Sequence, residues 1–140
     1  MSSQSNHTDN PVVIVSAART PMGAFQGELS ALTGHALGTE AIKAAVAKVK
    51  LDENDIDEVI MGCVLPAGQG QAPARQAALN AGLPLKTGAT TVNKMCGTAI
   101  LGILEFLDGN RLSGNVLVSH TTLPADPKCC TFQFDKMIIR

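Results

Sequence analysis

Short apolar runs rich in β-branched residues alternate along this chain with segments typical of helices, and this alternation restricts the possible folds. Residues 12–15 read Val-Val-Ile-Val, and residues 58–65 form a second run that Gly62 weakens in its middle. Helical segments occupy residues 33–50 and 73–81. Alternating strands and helices build a mixed or parallel sheet covered by helices, so the sequence predicts an α/β fold.

The spacing of apolar side chains predicts the helix over residues 33–50. Glu40 and Lys43 lie outside its apolar face, three positions apart. Asp52 is a candidate cap for a short helical turn. Pro73 suits the first turn of the next helix, and Gly82 suits its end. The apolar face of the first helix contains Leu37, Ala41, Ile42, Ala45, Val46 and Val49.

Shorter patterns predict the remaining elements. Strands are expected at residues 89–92 and 115–119, and the apolar stretch at 98–107 has the length of a buried helix. The run at 12–15 is apolar without interruption, which predicts a strand buried on both faces and followed by a loop through Gly23. Residues 121–140 have no clear period, so they either pair as an edge strand or have no defined place.

Composition excludes several classes of function. The 140 residues carry 11 Lys and Arg against 12 Asp and Glu, and this near-neutral balance gives no general attraction to nucleic acid or anionic membrane. The chain has no Trp or Tyr to stack on single-stranded bases. It has no long apolar run, and residues 1–10 are polar, without Lys or Arg. These features predict a disordered tail over 1–10, no membrane span and a cytoplasmic location.

Cys96 is the strongest candidate for chemistry. It follows the short strand at 89–92 and stands where the apolar stretch begins, with Gly97 next to it and Lys94 nearby. A thiol at a helix N-terminus faces free N–H groups and the positive end of the helix dipole, which lower its pKa from about 8.5. The same N–H groups would bind an oxyanion when an acyl group sits on the sulfur. The alternative is a small core residue, the usual role of a lone Cys.

The other cysteines and the histidines point to chemistry less clearly. Cys63 lies among apolar neighbours in a strand, which favours core packing. Cys129 and Cys130 are adjacent and would at most form a redox pair, and no spacing suits a zinc site. His35 is expected at the surface or in a helix cap. His120 follows a strand end, where catalytic bases often lie, but no local pattern pairs it with Cys96.

Three ordered blocks of the chain resemble the thiolase family. They are residues 12–27, residues 58–79 and the segment Thr-Val-Asn-Lys-Met-Cys-Gly at 91–97. Within the second block, Pro-Ala-Gly-Gln-Gly-Gln-Ala-Pro-Ala-Arg at 66–75 looks most like the condensing thiolases, the acetyl-CoA acetyltransferases. The resemblance implies a partial thiolase-like fold over residues 11–120, the N-terminal half-domain alone, followed by a divergent tail at 121–140.

The resemblance also implies a reaction. Cys96 matches the cysteine that thiolases acylate with acyl-CoA, so an acetyl thioester on Cys96 would be attacked by a second acetyl-CoA, or the reverse thiolysis would occur. Acyl-CoA and CoA would be substrates, no cofactor would be permanently bound, and the protein would be a homo-oligomer. Arg19 and Arg75 are expected to be structural or interface residues.

The chain departs from the family pattern at several places. It has no Gly-His-Pro, Cys-x-Gly or Asn-Glu-x-Phe segment, which in thiolases supply the base, the second cysteine and a water-positioning residue. Ala99 stands where a Gly is expected. A second hypothesis is therefore a truncated, non-catalytic thiolase fragment that at most associates with intact subunits. A redox protein that uses Cys129 and Cys130 is a third.

Overall fold

A five-stranded mixed sheet organises the computed structural model, which describes residues 13–93, 115–121 and 136–139. The predicted helix at 98–107 and the tail at 1–10 lie outside the described residues. No helix within the described ranges is long and apolar enough to cross a membrane. The elements are β1 (Ile14–Ala18), α1 (Gly34–Val49), a 3-10 turn (Glu53–Asp55), β2 (Ile56–Cys63), α2 (Pro73–Asn80), β3 (Gly88–Val92), β4 (Asn115–Thr121) and β5 (Lys136–Ile139).

The strand order is β1-β5-β4-β2-β3, and β2 is parallel to both of its neighbours, β3 and β4. Strand β5 runs antiparallel to β1 and to β4. Strands β1, β2, β3 and β4 therefore point the same way, with β5 alone reversed. The predicted α/β class with a mixed sheet covered by helices is confirmed.

Helix α1 forms where its spacing predicts it. Thr33 caps the N-terminus by accepting a hydrogen bond from the N–H of Ala36 at 3.3 Å, and Lys50 ends the helix with a φ of 52°. The predicted apolar face is buried except for Val49, which is partly buried at its edge. Glu40 and Lys43 form an exposed ion pair of 3.2 Å on the other face.

The core lies between one face of the sheet and helices α1 and α2. Ile42, Ala77 and Met61, one residue from each of α1, α2 and β2, are completely buried in it. Side chains alternate along a strand, so Ile60 faces the opposite side of β2 from Met61. It too is only 2% exposed, which makes β2 a strand buried on both faces.

Strand β1 differs from its prediction in position and in burial. It runs from Ile14 through Ala18, so pairing with β5 extends it beyond the β-branched run into residues predicted as loop. Ser16 and Ala18 are buried, and the Ser16 hydroxyl donates to the carbonyl of Ala45 at 2.8 Å. Ile14, however, is 60% exposed. The prediction of a strand buried on both faces is wrong because β1 lies at the edge of the sheet.

Strand β5 shows where part of the tail belongs. Its residues pair with both β1 and β4, so residues 136–139 lie inside the sheet rather than at its edge. An antiparallel strand in this position supplies hydrogen-bond partners to two strands that would otherwise be unpaired on those sides. Neither alternative expected for residues 121–140 included this position.

A predicted cap and a predicted helix end are confirmed. Asp52 caps the 3-10 turn, accepting hydrogen bonds from the backbone and side-chain nitrogens of Asn54, both at 2.8 Å. These bonds hold the pKa of Asp52 below its ordinary value. Gly82 follows α2 with a φ of +92°, a conformation that glycine adopts without the strain of a side chain, and its N–H donates to the carbonyl of Leu79.

Close contact between α1 and α2 depends on Gly38. A Cβ atom at this position would lie 3.2 Å from the Cβ of Ala77 and 3.2 Å from the Cε of Met61. The hydroxyl of Thr39 also donates across the crossing, to the carbonyl of Ala77 at 3.4 Å. The two helices therefore cross so closely that any side chain at this position would have to displace its neighbours.

Replacing Gly38 tests this crossing. We expect Gly38→Val to lower the free energy of unfolding by about 1–3 kcal/mol, because three methyl-sized groups must enter a packed seam. Ala44→Val is the matched control on the exposed face of the same helix and should cost less than about 1 kcal/mol. Urea unfolding followed by circular dichroism measures both, and equal losses would contradict the close-packing argument.

Candidate functional site

The carboxyl ends of four strands meet at one edge of the sheet. Strands β1 to β4 run parallel to one another, so Ala18, Cys63, Val92 and Thr121 end at the same side. In open α/β sheets, ligands bind beyond the carboxyl ends of the strands. This edge is therefore the candidate functional site, and the segment that carries Cys96 leaves from it directly after β3.

The side chain of Gln69 fixes the loop that follows β2. Its Oε1 accepts a hydrogen bond from the N–H of Gly34, the first residue of α1, at 3.1 Å. Its Nε2 donates to the carbonyl of Leu65 at 2.7 Å and contacts the Sγ of Cys63 at 3.6 Å. Gln69 is only 6% exposed, so its buried amide is satisfied on both sides. One side chain thus joins the end of β2, its loop and the start of α1.

A second glutamine holds the other half of the same loop. The Nε2 of Gln76, on α2, donates to the carbonyls of Gln69 at 3.0 Å and Gln71 at 2.6 Å. Ala72 enters α2 with a φ of 44°, a conformation that L residues adopt rarely. The two side-chain bonds hold the backbone on the approach to this strained residue.

Strand β3 is tied to both of its neighbours at this edge. The hydroxyl of Thr91 accepts a hydrogen bond from the N–H of Ala74 at 3.1 Å. Ala72 gives α2 no side-chain cap, so Thr91 satisfies one of the N–H groups in the first turn of that helix. The Nδ2 of Asn93, the residue after β3, donates to the carbonyl of Val64 at 3.2 Å. The exits of β2 and β3 are therefore held together at the point where the next segment begins.

The residues singled out from the sequence have different outcomes. Cys63 is 2% exposed, which confirms core packing. His35 is the second residue of α1, and its Nε2 lies 3.1 Å from the hydroxyl of the cap residue Thr33, as expected for a residue in a helix cap. Its Nδ1 is buried and, within the described part of the chain, has no hydrogen-bond partner.

His120 occupies a register position on β4 rather than a loop beyond it. It pairs with Gly62 of β2, and Gly62 pairs in turn with Val92 of β3. These three residues form one row across the sheet, at the edge where the strands end. Cys96, Cys129 and Cys130 lie outside the described residues, as do Lys94, Gly97 and Ala99.

Two residues at the edge, Gln69 and Asn93, escaped prediction. The loop at 66–71 reads Pro-Ala-Gly-Gln-Gly-Gln, which indicates a turn but does not show what its glutamines contact. A buried amide in a loop needs partners that only the folded chain supplies. Among the described residues, no group of three His, Cys, Asp or Glu side chains is placed to hold a metal ion.

Arg75 has the structural role that was expected of it. Its guanidinium donates to the carbonyl of Thr87 at 2.6 Å and to that of Leu85 at 2.9 Å. Both acceptors belong to the loop that leads into β3. A planar guanidinium reaches two carbonyls at once, so Arg75 fixes the entry to β3 as Asn93 fixes its exit.

Comparisons with known proteins find similar sequences and a similar fold. The family model "Thiolase, N-terminal domain" matches residues 12–109. The chain is 54% identical over 100 residues to a mitochondrial acetyl-CoA acetyltransferase of Xenopus tropicalis, covering 71% of this chain and 24% of that protein. It is 54% identical over 94 residues to a cytosolic acetyl-CoA acetyltransferase of Gibberella zeae, covering 67% and 24%. The chain therefore spans about a quarter of the length of these relatives.

A solved structure superposes on much of this chain. It is a thiolase from Ascaris suum in complex with coenzyme A, which superposes with a TM-score of 0.71 at 30% sequence identity. The match covers 84% of this chain and 33% of that one. The sheet described here is therefore similar to part of a thiolase fold, as the sequence blocks predict.

Substitution of Arg75 tests its structural role at the entry to β3. We expect Arg75→Ala to lower the free energy of unfolding by about 1–3 kcal/mol, because two carbonyls lose a charged donor. Arg75→Lys should recover only part of that loss, since an ammonium group does not reproduce the two-pronged geometry. Arg19→Ala, at an exposed arginine, is the control and should change stability by less than about 0.5 kcal/mol. Equal effects of Arg75→Ala and Arg19→Ala in urea unfolding would disprove the role.

Proposed function

Because the chain belongs to the thiolase family, we propose that it supplies the acyl-accepting cysteine, Cys96, of a thiolase-type acyltransferase. The observation that carries this proposal is the family match over residues 12–109, which includes the segment Thr-Val-Asn-Lys-Met-Cys-Gly at 91–97. The relatives named above are acetyl-CoA acetyltransferases, and the matched thiolase structure holds coenzyme A. Acetyl-CoA is accordingly the substrate we propose.

The proposed reaction has two stages. The Cys96 thiolate attacks the thioester carbonyl of acetyl-CoA, the new carbon–sulfur bond forms, and CoA leaves as a thiolate that takes up a proton. A base then removes a proton from the α carbon of a second acetyl-CoA, and the resulting carbanion attacks the acetyl group on Cys96. Acetoacetyl-CoA is formed and the Cys96 thiolate is released. The reverse direction is thiolysis, and neither direction calls on a permanently bound cofactor.

The described structure supports the proposal through the edge at which β3 ends. A nucleophile that follows a parallel strand is delivered to the side of the sheet where substrates bind. Asn93, three residues before Cys96, is anchored to the exit of β2. Covalent geometry keeps the Cα of Cys96 within about 11 Å of the Cα of Asn93, at about 3.8 Å for each step along the chain. This reach supports the proposal that the anchored edge and Cys96 belong to one local site.

A second candidate function is a non-catalytic thiolase chain that associates with intact subunits. The observation that favours it is the absence of Gly-His-Pro and Cys-x-Gly segments from the 140 residues, because these carry the base and second cysteine in thiolases. Loss of a general base costs on the order of 10²–10⁴ in rate. The proposed homo-oligomer belongs to the first candidate, and mixed association with intact subunits belongs to the second.

The cellular compartment remains a prediction from the sequence. The relatives include proteins named as mitochondrial and one named as cytosolic, so they do not choose between the two locations. The cytoplasmic location predicted from the sequence is one of these alternatives.

Acetylation of Cys96 tests the first candidate. The chain is incubated with acetyl-CoA, quenched in acid and digested, and the acetylated peptide is located by mass spectrometry. We expect an acetyl group on Cys96, its loss in Cys96→Ala, and its retention in the control Cys129→Ala/Cys130→Ala. Absence of acetylated Cys96 from the parent chain, both alone and mixed with an intact thiolase, would contradict the proposal.

Turnover separates the two candidates. Formation of acetoacetyl-CoA from acetyl-CoA by the chain itself supports the first. Acetylated Cys96 without turnover, together with co-elution with intact thiolase subunits in size-exclusion chromatography, supports the second.

A further inference from the structure

Beyond the last paired residues of β2 and β3, Gly62 and Val92, a side-chain hydrogen bond joins the exits of the two strands. Asn93 Nδ2 donates to the carbonyl of Val64, the first residue after β2. Asn93 is exposed, so this bond is not needed to satisfy a buried amide. What the bond does is relate the backbone position of one strand exit to that of the other.

The residue that follows Val64 is held by a second side chain. The carbonyl of Leu65, the next residue, accepts a hydrogen bond from the Nε2 of Gln69 at 2.7 Å, and the Oε1 of Gln69 accepts one in turn from the N–H of Gly34. Helix α1 is the longest helix of the described chain and packs against the sheet. Gln69 therefore connects the loop after β2 to a rigid part of the core.

Building on the proposed function, we propose that Gln69 and Asn93 are positioning residues for the nucleophile segment. Gln69 fixes the carboxyl end of β2 against α1. Asn93 then ties the start of the segment that carries Cys96 to this fixed end of β2. A residue bound directly to the acyl group is a catalytic residue, whereas these two act through the backbone between β2 and Cys96.

The chemistry of the amide group suits this role. Gln69 must accept a hydrogen bond from Gly34 and donate one to Leu65 at the same time, and a neutral amide does both. A carboxylate has no donor and would turn an oxygen towards the Leu65 carbonyl. Displacement of reacting groups by about 1 Å costs on the order of 10²-fold in rate, so a fixed exit from β3 matters to a nucleophile a few residues later.

The test measures the reactivity of Cys96 rather than the stability of the fold. The full chain is treated with iodoacetamide over a range of pH, and mass spectrometry follows the alkylation of Cys96 and of Cys63 in the same molecules. Cys63 is buried and reacts only when the core opens. The alkylation rate at Cys63 therefore measures unfolding. The pH midpoint of alkylation at Cys96 measures how strongly its surroundings favour the thiolate.

The expected results differ between positioning variants and a matched control. In Asn93→Ala the pH midpoint for Cys96 should move towards about 8.5, the value of a free thiol, and the rate at pH 7 should fall by about threefold or more. Alkylation of Cys63 should stay unchanged, because Asn93 is exposed. Asn80→Ala, an exposed asparagine at the end of α2, should leave both rates unchanged.

Variants of Gln69 provide a second line of evidence. Gln69→Glu should shift the Cys96 midpoint in the same direction as Asn93→Ala, while Gln69→Ala leaves buried backbone groups unpaired and costs about 1–3 kcal/mol. If either Gln69 variant fails to fold, as shown by fast alkylation of Cys63, the positioning role is accepted or rejected on the result for Asn93→Ala.

Two failures are distinguishable. A parent chain in which Cys96 alkylates like a free thiol, and is not acetylated by acetyl-CoA, overturns the proposed function and the positioning role together. An activated Cys96 whose midpoint is the same in the parent, Asn93→Ala and Asn80→Ala overturns the positioning role alone.

Discussion

The parallel pairing of β2 with both β3 and β4 is the constraint on which the rest of the structure depends. Parallel strands cannot be joined by a tight turn, so the chain must cross over between β2 and β3, and α2 is that crossover. Crossovers cover the sheet, which is why Val59 and Met61 lie at zero exposure beneath the helices. Because these strands run in the same direction, their carboxyl ends lie at one edge of the sheet, which is the candidate site.

At that edge, neutral side chains rather than ion pairs hold the backbone. Gln69, Gln76 and Asn93 each donate to carbonyls of the loop that follows β2. Amide groups suit a partly buried edge because they satisfy backbone groups without placing a charge in a poorly hydrated environment. In the proposed function, the segment after β3 carries the charge-bearing chemistry, and these hydrogen bonds fix the strand exits from which that segment leaves.

The family relationship and the site follow from different kinds of evidence. Three blocks of residues suffice to indicate a thiolase, and the match over residues 12–109 and the superposable structure agree with them. Cys96 is a candidate because the sequence predicts a strand-to-helix turn there, and a thiol at such a turn has a physical reason to be reactive. Gln69 and Asn93 had no such signal, because an amide in a loop suits many roles and its partners are separated from it in sequence.

The sequence by itself determined the α/β class, the extent of α1, the cap at Asp52 and the stop at Gly82. These features depend on local spacing and on backbone geometry, which a short stretch of chain specifies. Only the tertiary structure decided that β1 is an exposed edge, that β5 lies between β1 and β4, and that Gln69 joins three elements. Each of these depends on hydrogen bonds between residues distant in sequence, and no local pattern encodes which distant backbone groups will meet.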